Sequence, residues 1–380
     1  MSLSASDLDL LRGKAATHVE AIANLAWRIC EVAAPTGQEF ERARFVASLW
    51  QERGYEPEID DVGNVYVTRR GNTENRPLLL LLAHTDTVFP ASTPLVIKRE
   101  GEKLYGPGIS DNSVSVATML HTFDLLDELK METAVDIVAV ANVGEEGLGN
   151  LLGARTAVER YRANLGAVLV IDGGLGHVTR GAVGSKRWRI IVRGPGGHSY
   201  GSFGRPSAIH GLGRIIAALA DNLQVPADPK TTFNVGVIEG GTSVNTIAAD
   251  ASALLDMRSI DVHMLDQLAE QARQIIEQKA GAGLRVEIEV LGERPAGERS
   301  LSDPLVQLAG ETLRWLGIEP RYGSSSTDAN IPISLNIPSV CVGVTYGEHA
   351  HTLQEYFLVP PLALGLAQVG RLCIEASQLC

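Results

Sequence analysis

Apolar and polar positions along the chain follow more than one rhythm. Leu10, Ala21, Ile22, Leu25 and Ile29 suit amphipathic helices, interrupted at "AAPTGQE". A helix is expected to resume over residues 36 to 54, with Thr36 as its N-cap and Glu39 completing a capping box. "PEIDDVGNVYVTRR" then reads as strand, hairpin-like turn and strand. The run "LLLLLAHTDTVFP" opens with apolar residues and no polar alternation, the mark of a strand buried on both faces. The helix "SVATMLHTFDLLDEL", the strand "VDIVAVANVGEE", a helix over 151 to 162 and the buried strand "GAVLVIDGG" come after it. Alternation of buried strands and helices predicts an α/β domain with a largely parallel sheet.

The rhythm changes near residue 179. "RWRIIVRG" alternates apolar and polar, as a strand with one wet face does. A helix ("SAIHGLGRIIAALADNL"), strands "TFNVGVIEGG" and "ASALLDMRS", a helix ("DQLAEQARQIIEQKA") and the strand "LRVEIEVL" come next. The order βαββαβ predicts a self-contained ferredoxin-like α+β domain with an antiparallel sheet, inserted into the first. Helices "LVQLAGETLRWLG" and "LGLAQVGRLCIEASQL", around the short strand "PSVCVGV", resume the first domain. The expected division is 1–178 and 292–380 for the α/β domain and 179–291 for the insert.

Composition adds little to this picture but excludes some roles. The 380 residues carry a formal net charge of -12, which argues against a nucleic-acid partner. The leucine run is far shorter than a membrane span. The N-terminus lacks a basic stretch followed by an apolar one, so a cytoplasmic protein is expected. Cys30, Cys341, Cys373 and Cys380 form no C-x-x-C pair and read as free thiols.

Candidate chemistry sits where the buried strands end. His84 and Asp86 are two apart, so they share a face at the C-terminal end of their strand, the edge where α/β sheets bind ligands. Asp111 lies in the Gly-rich "GPGISDN" before a helix, Glu145 and Glu146 follow a strand in "NVGEEGLGN", and Asp172 ends another in "VLVIDGG". His349 and His351 lie downstream in "GEHAHTLQEY". Each has an ordinary structural reading: Asp111 as a helix cap, the glutamates as helix-start carboxylates, Asp172 as a turn former, the histidines as loop residues. Together they suit a pair of divalent ions. Zinc takes imidazole nitrogen and carboxylate oxygen, one carboxylate can bridge, and another must stay unligated to move protons. Glu145 and Glu146, as neighbours, are expected to point in different directions.

The combination of "AHTDTV", "GISDN", "GEEGLGN", "VIDGG", "GGHSYG", "GGTSVNTIA" and "HTLQEY" resembles the di-zinc family of peptidase T, carboxypeptidase G, aminoacylase and succinyl-diaminopimelate desuccinylase. The resemblance covers nearly the whole chain. It implies metal ligands at His84, Asp111 (bridging), Glu146, Asp172 and His351, the last chosen over His349 by the spacing to Glu355. It implies Glu145 as general base, Asp86 as the acid that orients His84, and a cis peptide between Asp111 and Asn112. The insert resembles the family's lid, which commonly dimerises. His198 matches a residue that stabilises the oxyanion, often in the partner subunit. Asn245 and Arg258 match residues that hold the substrate. The chain departs from many relatives in "DNSVSV" after the bridging Asp. An Asp at 172, where other branches have Glu, is the peptidase T and dipeptidase form, and "GSSSTDANIP" resembles the peptidase loop near the substrate's end.

The strand-end donors and the resemblance together predict a metal-dependent hydrolase of short peptides, a peptidase T-like aminopeptidase first. The metal would be zinc, with cobalt or manganese as substitutes, and the assembly a homodimer through the insert. An N-acyl-amino-acid deacylase, a carboxypeptidase G-like enzyme and a non-catalytic binding protein on the same fold are the alternatives.

Overall fold

The computed structural model describes residues 3–73 and 76–380. Its contacts divide the chain into two units, Met1–Ala182 with Glu298–Cys380, and Val183–Gly297. The strand His177–Ala182 still belongs to the first unit, and the last long strand of the second runs Arg285–Arg294. The division therefore falls a few residues beyond both 179 and 291.

The first unit is built on a sheet with spatial order Glu58–Ile59, Val65–Arg69, Ile137–Asn142, Leu78–His84, Leu165–Ile171, Ser339–Val342, His177–Ala182 and Gly297–Glu298. The four strands from Ile137–Asn142 to Ser339–Val342 are mutually parallel, and the flanking pairs run antiparallel. Leu78–His84 is buried at every position. Leu79, Leu81 and Ala83 pack with the helices Val19–Cys30, Phe40–Gln51, Val114–Glu128 and Leu362–Ala376. Leu78, Leu80 and Leu82 pack on the other face with Leu152–Tyr161 and Asn330–Ser334. Both faces being covered is why the strand has no polar alternation. Each buried leucine contributes roughly 1.5–3 kcal/mol relative to exposure.

Register then sets the site. Leu79 pairs with Ile137 and His84 with Asn142, while Leu82 pairs with Val170. The parallel strands thus finish together, and His84, the Val143–Glu146 turn and Asp172 leave the sheet at one edge. Among the described residues, no helix is long and apolar enough to cross a membrane. Cys30, Cys341 and Cys373 are buried and unbridged.

The second unit has the antiparallel order Thr231–Gly240, Asp250–Ser259, Gly184–Arg193, Arg285–Arg294. Helices Ala208–Asn222 and Val262–Lys279 cover one face. Trp188, Ile190 and Val192 alternate inward with Ala251, Ala253, Leu255 and Met257 to form the core. Asp261 caps the second helix by accepting the N–H of Met264. On the uncovered face Arg187, Arg189 and Arg193 pair with Asp256, Glu289 and Glu287. This is the ferredoxin-like βαββαβ arrangement expected from the sequence rhythm.

One local expectation fails. The helix after "AAPTGQE" begins at Phe40, not next to Thr36. Gly37 takes φ +83°, which breaks the helical path. The capping box does not form: the Thr36 hydroxyl donates to Asp86, and the Glu39 carboxylate accepts from Gly37 and Gly144.

Candidate metal centre

His84 is the last residue of its strand and is 1% exposed. Its Nδ1 lies 3.2 Å from the main-chain oxygen of Asp86, which can only accept, so Nδ1 carries the proton. Nε2 faces Asp111 Oδ1 at 3.0 Å. In its neutral form the imidazole would therefore turn a lone pair toward a carboxylate oxygen. Two electron-pair donors facing each other call for a cation between them, a proton or a metal ion.

Asp111 sits in a turn ahead of the helix Val114–Glu128, and its peptide bond to Asn112 is cis. Its second oxygen, Oδ2, lies 3.1 Å from Nε2 of His351, which is also 3.0 Å from Glu146 Oε1. Three groups of donors each gather within 4.8 Å: His84, Asp111 and Asp172; His84, Glu145 and Glu146; Asp111, Glu146 and His351. Asp111 belongs to two of them, one oxygen toward each histidine. Glu145 and Glu146 each have an oxygen in one group with His84, but only Glu146 also faces His351.

The charges show the crowding. Burial and the neighbouring Asp111 push Asp172 up to about 7. Burial and the same neighbour raise Glu146. Hydrogen bonding to Asp111, opposed by burial, lifts His351 to about 9. Burial disfavours a charged His84, yet its bonds to Asp111 and Asp86 hold it well above its usual value. This donor set, imidazole nitrogen with several carboxylates, has the chemistry that divalent zinc takes. Neighbouring donor atoms about 3 Å apart also suit metal bonds of about 2.0–2.2 Å. The residues therefore fit a pair of divalent ions.

Asp86 does more than accompany His84. It is fully buried, and its carboxylate accepts the N–H of Glu145 at 2.9 Å and of Glu146 at 2.8 Å, and the Thr36 hydroxyl at 2.9 Å. Burial would raise this acid; the bond and charge of His84 and the two N–H groups outweigh it and keep it ionised.

The supporting roles of several residues escaped the sequence reading. Glu355, fully buried, accepts from the N–H groups of Gly108, Ser110 and Asp111 and so fixes the turn that carries Asp111. Its place four residues after His351 was the available signal. Asn112 donates to the Ile171 carbonyl, tying that turn to the strand before Asp172. Asn142 donates to Asp328, which lies in the "GSSSTDANIP" loop. No periodicity marks these residues, because each acts across the sheet.

The remaining candidates belong to the second unit. His198 lies on the two-residue strand Gly197–His198, paired with Thr246–Ile247. The Asn245 carbonyl accepts from Ser199, which brings His198 and Asn245 side by side. His198 Nδ1 accepts from the N–H groups of Tyr200 and Gly201, both at 3.3 Å. Its neutral ring therefore carries the proton on Nε2, as a donor. Arg258 donates to Asp256 at 2.7 Å on the strand Asp250–Ser259. His349 lies off the cluster, with its ring tilted against Tyr356.

Comparison with known proteins agrees with this architecture. The protein YqjE of Bacillus subtilis is 25% identical over 372 residues, covering 92% of this chain and 96% of that one. Carboxypeptidase G2 of a Pseudomonas strain is 26% identical over 311 residues, covering 78% and 73%. The crystal structure of a tripeptidase from Staphylococcus aureus shares the fold with a TM-score of 0.80 and 23% identity, over 95% of this chain and 99% of that one. The family model described as peptidase family M20/M25/M40 matches residues 80–374. The chain belongs to this peptidase family, whose members are hydrolases acting on amide bonds.

Proposed function

We propose that the chain hydrolyses the peptide bond of short peptides with two divalent ions, most suitably zinc, as a peptidase T-like aminopeptidase. The observation that carries this reading is Asp111, whose two oxygens face His84 and His351 at 3.0 and 3.1 Å. In this reading His84, Asp111 and Asp172 hold one ion, and Asp111, Glu146 and His351 hold the other. When bound, such a pair supplies Lewis acidity at the scissile carbonyl and lowers the pKa of the attacking water.

The chain's own residues do the rest. Glu145, kept off the metals, takes the water's proton and passes it to the leaving amine. Asp86 fixes the backbone from which Glu145 and Glu146 project. His198 offers its Nε2–H to the developing oxyanion, and Asn245 and Arg258 hold the substrate's backbone or carboxylate. Delivery of His198 in trans, in a dimer formed through residues 179–291, is part of the proposal. It is supported by the strand Thr231–Gly240, an edge of its sheet with mostly exposed residues. Buried free thiols at Cys30, Cys341 and Cys373 suit the cytoplasm, where thiols stay reduced.

The substrate class rests on Asp172 and on the fold shared with the tripeptidase. The match to carboxypeptidase G2, and one to an acetylornithine deacetylase of Myxococcus xanthus (27% identical over 347 residues), favour a second reading as carboxypeptidase or deacylase. Zinc-loaded protein assayed on tripeptides, peptides with a C-terminal glutamate and N-acetyl amino acids separates them. Release of the N-terminal residue from tripeptides is the expected result. Turnover confined to N-acyl substrates or C-terminal glutamate would replace the aminopeptidase reading, and no turnover of any would leave a binding protein.

A further inference from the structure

The segment Thr36–Arg42 touches the edge of the sheet from which His84, Glu145 and Glu146 leave. Arg42 is 1% exposed, and its guanidinium donates to the carbonyls of Val32 and Thr85, both at 2.7 Å. Thr36 donates to Asp86. Glu39 is 4% exposed, and one carboxylate oxygen, Oε1, accepts from Gly37 at 2.8 Å and from Gly144 at 3.2 Å.

Gly144 is where the chain turns out of the sheet into Glu145. The ladder ends two residues earlier, with Thr85 donating to the Asn142 carbonyl. The N–H of Gly144 would then be buried with no strand partner, at a cost of roughly 1–3 kcal/mol. Beyond it the loop closes on itself, with Gly149 donating to Glu146 and Leu151 to Gly144. Gly144 has φ +69°, and the loop packs so tightly that a Cβ on Gly149 would fall 2.6 Å from Gly144. The loop thus turns as one piece about its first residue. Asp86 holds its Glu145 and Glu146 amides, and Glu39 holds the amide before them.

A carboxylate at the start of a helix usually accepts from that helix's own first turn. Glu39 instead spends its oxygen on Gly37 and on a loop 105 residues away in sequence. We infer that Glu39 is a positioning residue that sets the angle of the Gly144–Gly149 loop and so the placement of the Glu145 and Glu146 carboxylates. This inference rests on the hydrolase reading for its effect on turnover, but not for its effect on the loop. Because one oxygen makes both bonds, a neutral amide oxygen at the same place can replace it.

The test compares wild type with Glu39→Gln, Glu39→Met and Glu39→Asp as full chains loaded with zinc. Metal content, thermal unfolding, kcat and KM on the peptide that wild type cleaves, and amide hydrogen exchange over residues 143–149 are measured. Glu39→Met should keep its metal and KM, lower kcat about 10–100-fold, the range for losing an outer-shell partner, and exchange faster at Gly144. Glu39→Gln should behave as wild type, and Glu39→Asp, whose oxygen is withdrawn by one methylene, should follow Glu39→Met. Unchanged exchange at Gly144 in Glu39→Met, or Glu39→Gln as damaged as Glu39→Met, overturns the inference. Should Glu39→Met fail to fold, a Glu39→Asp variant with wild-type kcat and exchange overturns it equally. If wild type cleaves no peptide, the hydrolase reading fails, while exchange at Gly144 still decides whether Glu39 holds the loop.

Discussion

Asp86 receives the backbone N–H of Glu145 on its Oδ1 at 2.9 Å. A side chain at the end of one strand thus holds the main chain at the end of the next, and the general-base candidate is aimed by an acid that holds its backbone N–H. Replacing Asp86 by Ala leaves the N–H groups of Glu145 and Glu146 without their acceptor. The expected outcome is a folded protein with kcat lowered about 10–100-fold and faster amide exchange at residues 145 and 146. Wild-type exchange there with full loss of metal would show that Asp86 acts on His84 alone.

Glu145 and Glu146 share a donor group with His84, while Glu146 alone also faces His351. Glu145→Gln should retain the metal content of wild type and lose about 10²–10⁴-fold in kcat. Glu146→Gln should lose metal, as should Asp111→Ala, the latter at both positions. Metal analysis after dialysis reads the difference. Loss of metal from Glu145→Gln in step with activity would exchange the two roles.

His198 lies on the second unit, with its proton on Nε2. His198→Ala is expected to lower kcat more than it weakens ground-state binding, because an oxyanion exists only on the way to products. Mixing Glu145→Gln subunits with His198→Ala subunits tests delivery across a dimer. Recovered activity in the mixture is expected; none, once subunit exchange is proven, would assign His198 to its own subunit or to no role.

His18 and His121, neither of them a candidate ligand, meet Nδ1 to Nδ1 at 3.2 Å. Glu128 and Lys14 flank His18, while Asp124 and Arg53 flank His121. Burial, then the charges of Arg53 and His18, push His121 down to about 3. The folded state therefore keeps this ring neutral where the unfolded chain, with an ordinary value near 6.5, would bind a proton. Its contribution is fully present above pH 6.5 and is lost as pH falls from there toward 3. Denaturant unfolding across that range should show a pH slope that His121→Gln reduces. An identical slope in both proteins would remove His121 as its source.

Periodicity was enough to read the long helices and strands of both units, because burial on two faces and on one face leave different patterns in the chain, while short strands such as Lys98–Glu100, Lys103–Tyr105 and Tyr356–Leu358 went unread. The run from Leu78 to Leu82 reads as a strand covered on both sides, and the alternation from Arg187 to Arg193 as one with a wet face. The candidate donors were legible for a related reason: polar residues at the ends of buried strands stand out against their neighbours. The capping box at Thr36 and Glu39 was misread, since the same residue types at the same spacing serve either a helix end or a distant loop. Only the sheet register brings Gly144 and Asp86 within reach of that segment. The supporting contacts of Glu355, Asn112 and Asn142 were invisible for the same reason, as each hydrogen bonds a partner supplied by another strand or loop. Local pattern thus settles which residues are apolar on which face, and hence the elements and the kinds of donor at their ends. Which donors stand together, which acid aims which loop and which amides need an acceptor are settled by the folded chain, because those are distances between segments that no local rhythm encodes.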